Sequence, residues 1–320
     1  MKAGPIFTAC ALATLCAGCE QSRGSADRSP PPSASPVQSV PPAAEVPSGH
    51  SATPAVAASA SSSAAADRRA LSTRGESVAA APCPQEMVSV GRYCIDRWEA
   101  HLVRVGENGE ESVHAHYERP VRGATYRAVS SPEVFPQAYV SRVESEAACR
   151  QAGKRLCTLG EWYRACHGPR GQVYPYGNHE ERSRCNSGKP HLLSHLFGSN
   201  PSRWKYEEHF NSPRLAQEPR FLARTGEYAE CVSGEGVMDL VGNLHEWVSD
   251  KVDSTLPAKV PLQEDVLKKV GPRTGHAIFM GGFFSTTSEH GRGCRFTTIG
   301  HEATYHDYST GFRCCRDATP

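Results

Sequence analysis

Apolar and polar side chains alternate over Met87-Val88-Ser89-Val90 and again over Tyr93-Cys94-Ile95-Asp96, with Gly91-Arg92 between them. Successive side chains in a strand point to opposite faces, so the pattern predicts two half-buried strands joined as a hairpin. Ser141-Arg142-Val143-Glu144 and Thr158-Leu159-Gly160-Glu161 each place a hydroxyl three residues before a glutamate. Both are capping boxes, in which the hydroxyl and the carboxylate satisfy backbone N–H groups that a helix start leaves open. The first predicts a helix to near Ala152, stopped by Gly153. The second predicts a helix through Trp162 to near Cys166, stopped around Gly168-Pro169. Beyond Pro169 the chain is rich in Gly, Pro, Asn and Ser, with short apolar clusters and little sustained period. The expected class is α+β, with few helices and much irregular structure.

The N-terminal quarter follows a different pattern. Residues 1–18 carry one lysine and an apolar run from Ile6 to Leu15, too short for a membrane span and shaped like a secretory leader. The run ends in Leu15-Cys16-Ala17-Gly18-Cys19, which resembles a bacterial lipobox, so Cys19 is the expected lipid attachment point. Residues 20–82 hold 39 Ser, Ala or Pro among 63, and no Phe, Trp, Tyr, Ile or Met. Such a segment cannot bury enough apolar surface to offset its conformational entropy, so 19–82 reads as a disordered tether. All four tryptophans and all eleven tyrosines fall in 83–320, the expected folded domain. The organisation implied is a domain held outside the cytoplasm at a membrane surface, in a periplasm or on a cell surface.

Composition narrows the function. Thirty-five basic and 34 acidic residues give a net charge of +1, which argues against a nucleic-acid partner held by phosphate neutralisation. Ten cysteines lie in the domain, at 83, 94, 149, 157, 166, 185, 231, 294, 314 and 315. An even number in an exported domain points to five disulfides, and the absence of a Cys-x2-Cys knuckle argues against zinc. Spacing alone does not fix their pairing. Cys314 and Cys315 are neighbours, so in a strand they face opposite ways and need different partners.

Five phrases occur in order: Gly153-Lys154-Arg155-Leu156-Cys157-Thr158-Leu159-Gly160-Glu161-Trp162, Tyr174-Pro175-Tyr176-Gly177-Asn178, Gly236-Val237-Met238-Asp239-Leu240-Val241-Gly242-Asn243-Leu244-His245-Glu246-Trp247, Gly281-Gly282, and Gly311-Phe312-Arg313-Cys314. Together they resemble the sulfatase-modifying-factor, or formylglycine-generating-enzyme, family across most of 83–320. The resemblance implies a loop-rich α+β fold related to C-type lectins, stapled by disulfides and calcium. It implies the pairs Cys149–Cys314 and Cys166–Cys294, and, with motif order, Cys83–Cys94, Cys185–Cys231 and Cys157–Cys315. It also implies calcium ligands at Asp239, Gly242, Leu244 and Glu246, with Asn186 similar to a ligand of a second calcium. The residue types suit the ion, which takes six to eight hard oxygens.

The family's oxidase uses copper on two thiols, because soft sulfur selects Cu(I). Those thiols should follow Gly281-Gly282, yet Phe283 through Gly293 contains no cysteine. Phe283 stands where the family has a serine, and His245 where it has the first aromatic of a Trp-Glu-Trp phrase. Copper is therefore not expected, and no local spacing assigns another transition metal. The cleft candidates are His245, Phe283 and His290. Two pairs, His191 with His195 and His114 with His116, have helical and strand spacing respectively and read as solvated or core-edge histidines. The function that follows is a calcium-bound binding or scaffolding module for a peptide, glycan or protein. The alternative is a metal-dependent oxidase of the same family, histidine-based or formylglycine-generating, so catalysis itself is left open.

Overall fold

The computed structural model describes residues 83–286 and 288–319. The expected leader, the lipid-bearing Cys19 and the tether lie outside them. The order of the principal elements is β1 (Met87–Val90), β2 (Tyr93–Asp96), β3 (Ala100–Val105), β4 (Glu111–Val113), β5 (Thr125–Ser130), α1 (Arg142–Gln151), β6 (Arg155–Leu156), α2 (Leu159–His167), α3 (Leu192–Phe197), β7 (His245–Lys251), β8 (Ala277–Met280), β9 (Thr297–His301), β10 (Thr310–Phe312) and β11 (Cys314–Asp317). They form three small sheets, ordered β1-β2-β11-β6, β10-β7-β8-β9 and β4-β3-β5. β10 runs parallel to β7 and the other pairs are antiparallel. The class is α+β, as the sequence implied.

The hairpin pairs Met87 with Asp96 and Val90 with Tyr93, leaving Gly91-Arg92 as its turn. Both capping boxes form: Ser141 and Thr158 each accept from the N–H three residues on, while Glu144 and Glu161 reach back. Strands β8 and β10 escaped the sequence pattern because they are buried on both faces. β8 reads Ala-Ile-Phe-Met and every residue is buried, so no alternation marks it.

Five disulfides staple the domain: Cys83–Cys94, Cys149–Cys314, Cys157–Cys315, Cys166–Cys294 and Cys185–Cys231. Cys149–Cys314 and Cys166–Cys294 are the pairs the family resemblance implied, and the other three are those expected from proximity in the motif order. Three of them close separations of 128, 158 and 165 residues, the range where constraining the unfolded chain counts for most. Cys314 and Cys315 take partners on α1 and just before α2, on opposite sides of β11. Disulfides at this density are compatible with an oxidising, extracytoplasmic setting. No helix among the described residues is long and apolar enough to cross a membrane.

The helices are joined to β7 by polar side chains as well as by packing. Arg142 at the start of α1 donates to the carbonyls of Val248 (3.2 Å) and Ser249 (2.6 Å). Trp162 of α2 is fully buried and donates its indole N–H to Glu246 at 2.8 Å. β7 is thus fixed from both sides, and it carries the residues of interest.

Candidate functional site

His245, Glu246 and Trp247 are consecutive on β7, so strand alternation sends Glu246 to one face and His245 and Trp247 to the other. On the first face, Arg313 is wholly buried and forks onto the Glu246 carboxylate, Nε to Oε2 and Nη2 to Oε1, both at 2.7 Å. Its remaining N–H groups donate to the carbonyls of Asp96, Arg97 and Met238 at 3.0, 3.2 and 2.8 Å. With Trp162 the carboxylate accepts three donors.

The expected calcium residues cluster beside this pair. Gly242 has φ +81°, and a Cβ there would lie 2.1 Å from the Asn186 carbonyl oxygen, so the turn admits only glycine. Asn243, also left-handed at φ 56°, donates its backbone N–H to that same carbonyl at 2.8 Å. Leu244 N–H donates to Glu99 Oε1 at 3.1 Å, and Asp239 accepts from Gly226 N–H at 2.7 Å. Glu99 is buried and was not singled out from sequence; a charge inside the otherwise strand-like run around Trp98-Glu99-Ala100 was the available signal. Burial pushes Glu99 well above the usual carboxylate range, with Asp239 and Glu246 adding to it. Burial likewise pushes Asp239 up to about 6. Asn186 donates its amide to Phe221 O (2.9 Å) and Asn243 Oδ1 (2.8 Å), while its own Oδ1 is buried without a partner. The Lys189 ammonium donates to the neighbouring Phe221 carbonyl at 2.8 Å and also to that of Arg220. Among the described residues, no group of three or more His, Cys, Asp or Glu stands ready to hold a metal.

The opposite face of β7 borders a cleft of about 580 Å³. All three cleft candidates, His245, Phe283 and His290, line it, joined by His191, His301, Phe279, Phe296, Tyr305, Tyr308, Asp307 and Lys189. His245 is boxed by the rings of Phe279, Phe283 and Phe296, at centroid distances of 4.5, 4.9 and 5.4 Å. Its Nδ1 is buried with no hydrogen-bond partner. Burial holds this imidazole well below its usual pKa, and the nearby His301 and His290 push the same way. His301 is stacked on Tyr305 at 3.7 Å, and its pKa is lowered to about 4, chiefly by burial. His290 Nδ1 lies 3.1 Å from Asp265 Oδ2 at the rim. With His245 and His301 held neutral, the cleft presents aromatic faces suited to a ring-bearing group, beside the polar Lys189, Glu289 and Asp307.

The other histidine pairs separate. His191 stacks on Trp204 at 5.0 Å beside the cleft, whereas His195 lies near the surface, 3.5 Å from Glu218. His116 stacks on Phe135 and His114 packs edge-on against Tyr126, neither in the cleft. Sequence reasoning missed Phe279, Phe296, Tyr305 and Tyr308, which stand at no motif and are gathered only by the fold.

The sulfatase-modifying factor enzyme 1-like domain family matches residues 56–318. Relatives include the formylglycine-generating enzyme of Streptomyces coelicolor, 30% identical over 64% of this chain and 59% of its own length. The inactive C-alpha-formylglycine-generating enzyme 2 of Bos taurus is 33% identical over 41% of this chain and 40% of its own. The mouse formylglycine-generating enzyme is 27% identical over 63% and 51%. The chain thus spans between two fifths and three fifths of the length of these relatives. Among solved structures, the Major Tropism Determinant I1 variant aligns with 74% of this chain and 54% of its own (TM-score 0.40, 14% identity). PvdO from Pseudomonas aeruginosa aligns with 70% and 80% (TM-score 0.39, 12% identity).

Proposed function

Because the chain belongs to the sulfatase-modifying factor family, we propose that its domain is a binding module that has left the family's copper–thiol chemistry. In this reading a lipid on Cys19 tethers the domain outside the cytoplasm, and the cleft at His245, Phe283 and His290 takes an aromatic or apolar group of a peptide, glycan or protein partner. The carrying observation is that all ten cysteines of 83–320 are bonded in five disulfides, which leaves no thiolate to hold Cu(I).

Calcium belongs to the same proposal. Its support is charge: Glu99, Asp239 and Glu246 are three buried carboxylates within electrostatic reach of one buried guanidinium, Arg313. A hard divalent cation suits that excess, with Asp239 the least committed carboxylate and Gly242 and Leu244 the carbonyl donors. Glu246 suits it less, being already forked by Arg313. A second reading, oxidation through a histidine-bound metal, is favoured by the unpartnered Nδ1 of His245.

One preparation tests all three. The exported chain is alkylated without reduction, its metal content is measured, and it is incubated with a sulfatase peptide. The binding-module reading expects no alkylated cysteine in 83–320, no stoichiometric transition metal and no aldehyde. Two alkylated cysteines and aldehyde formation would restore the oxidase; stoichiometric iron or copper without thiols would favour the histidine reading. Calcium should raise the melting temperature over chelator in the native sequence and not in Asp239→Asn.

A further inference from the structure

Gly291-Arg292-Gly293-Cys294-Arg295 lies between the cleft residues His290 and Phe296 and forms a tight 3-10 turn over Gly293–Arg295. The turn is pinned. Cys294 is bonded to Cys166 of α2, and its N–H donates to the Val173 carbonyl at 2.8 Å. Gly293 has φ +54°, and a Cβ there would come within 2.4 Å of that same carbonyl oxygen. Arg292, extended, immediately precedes the turn and Arg295 ends it, and both line a polar cavity of about 380 Å³.

The lining of this cavity carries two guanidiniums against a single carboxylate, Glu180. Among the described residues neither forms an ion pair, and Arg295 Nε is buried with no hydrogen-bond partner. The amides of Asn178 and Gln263 also line the cavity; Asn178 spends its oxygen on Val173 N–H, leaving its amino group. The one acid there, Glu180, lies 3.5 Å from the Tyr174 hydroxyl. The cavity shares no lining residue with the His245 cleft.

We propose that this cavity binds an oxyanion, a carboxylate, sulfate or phosphate group, between Arg292 and Arg295. The planar guanidinium fork matches two oxygens of such a group, and a cationic cavity of this size admits the group with a small substituent. The site is independent of whether the domain is a binding module or an oxidase.

The test titrates the full chain with sodium sulfate, phosphate or acetate against chloride at constant ionic strength, by calorimetry and by thermal melting. Saturable binding of at least one oxyanion is expected. In Arg292→Gln/Arg295→Gln its affinity should fall by about tenfold or more, while the remote, exposed Arg92→Gln leaves it unchanged. Sulfate and phosphate without acetate would assign a tetrahedral oxyanion, and acetate alone a carboxylate. Arg292 is exposed, so Arg292→Gln alone gives the same reading if the double variant does not fold. No saturable effect beyond chloride, or undiminished binding in a variant that retains its five disulfides, overturns the proposal.

Discussion

Glu246 and His245 are adjacent on β7 and both are buried, yet their surroundings are opposites. Glu246 meets Arg313 and Trp162, and every polar atom in that group is used: five donations leave Arg313 and three arrive at the carboxylate. His245 meets three phenylalanine rings and keeps an unpartnered nitrogen beside a cavity. A buried polar group costs free energy unless it is hydrogen-bonded. The saturated face is therefore what a structural pin looks like, and the unsaturated one suits the binding role proposed above. The strand places a position that must not change one residue from a position that tolerates change.

The sharpest way to break the comparison is to remove Arg313. Arg313→Met leaves Glu246 as a buried carboxylate with Trp162 as its only side-chain donor, and removing one partner of such a pair typically costs ~3–5 kcal/mol. Denaturant unfolding with disulfides intact measures the loss. A cost below ~1 kcal/mol would mean that the pair is hydrated and not a pin. His245→Phe is the matching change on the other face. A ring replaces a ring among Phe279, Phe283 and Phe296, and an unpaired nitrogen disappears. Stability should move by less than ~1.5 kcal/mol, in either direction. Binding of any partner that enters the cleft should be lost, read as a pull-down or a titration that the native sequence passes and His245→Phe fails.

The same contrast explains what could be read from the chain without its fold. Glu246 and Arg313 belong to contiguous phrases, Leu244-His245-Glu246-Trp247 and Gly311-Phe312-Arg313-Cys314, and the capping boxes of α1 and α2 are local by nature. What local sequence dictates was legible, and so were the disulfides once the phrases were aligned with a family. The cleft was legible only in part. His245 lies in a motif and Phe283 and His290 follow one, but Phe279, Phe296, Tyr305 and Tyr308 are brought to it by β8, the residue before β9 and the loop before β10, through long-range pairing. Arg313's partner was hidden for the same reason: 67 residues separate it from Glu246, and nothing local says that the two meet.

The smallest effect tests whether His301 is as secluded from water as its burial implies. His301 is held neutral, its pKa lowered to about 4 from an ordinary 6.5, chiefly by burial. An unfolded chain takes up that proton as pH falls through 6.5, and the folded domain does not until near 4, so acidification through this window favours unfolding. The whole profile does not isolate the effect. Asp239 is shifted upward, to about 6, so the folded state binds its proton first and stability from that group rises on acidification. The two slopes oppose. His301→Asn removes only one of them, and the difference between native and variant unfolding free energies carries His301 together with its small repulsion on His245. That difference should be level above pH 6.5 and grow against the native sequence as pH falls toward 4, by about 1 kcal/mol per pH unit or less, since His301 keeps some solvent contact. A level difference throughout would place water around His301, and the cleft would then be polar where the rings of Phe279 and Tyr305 make it apolar.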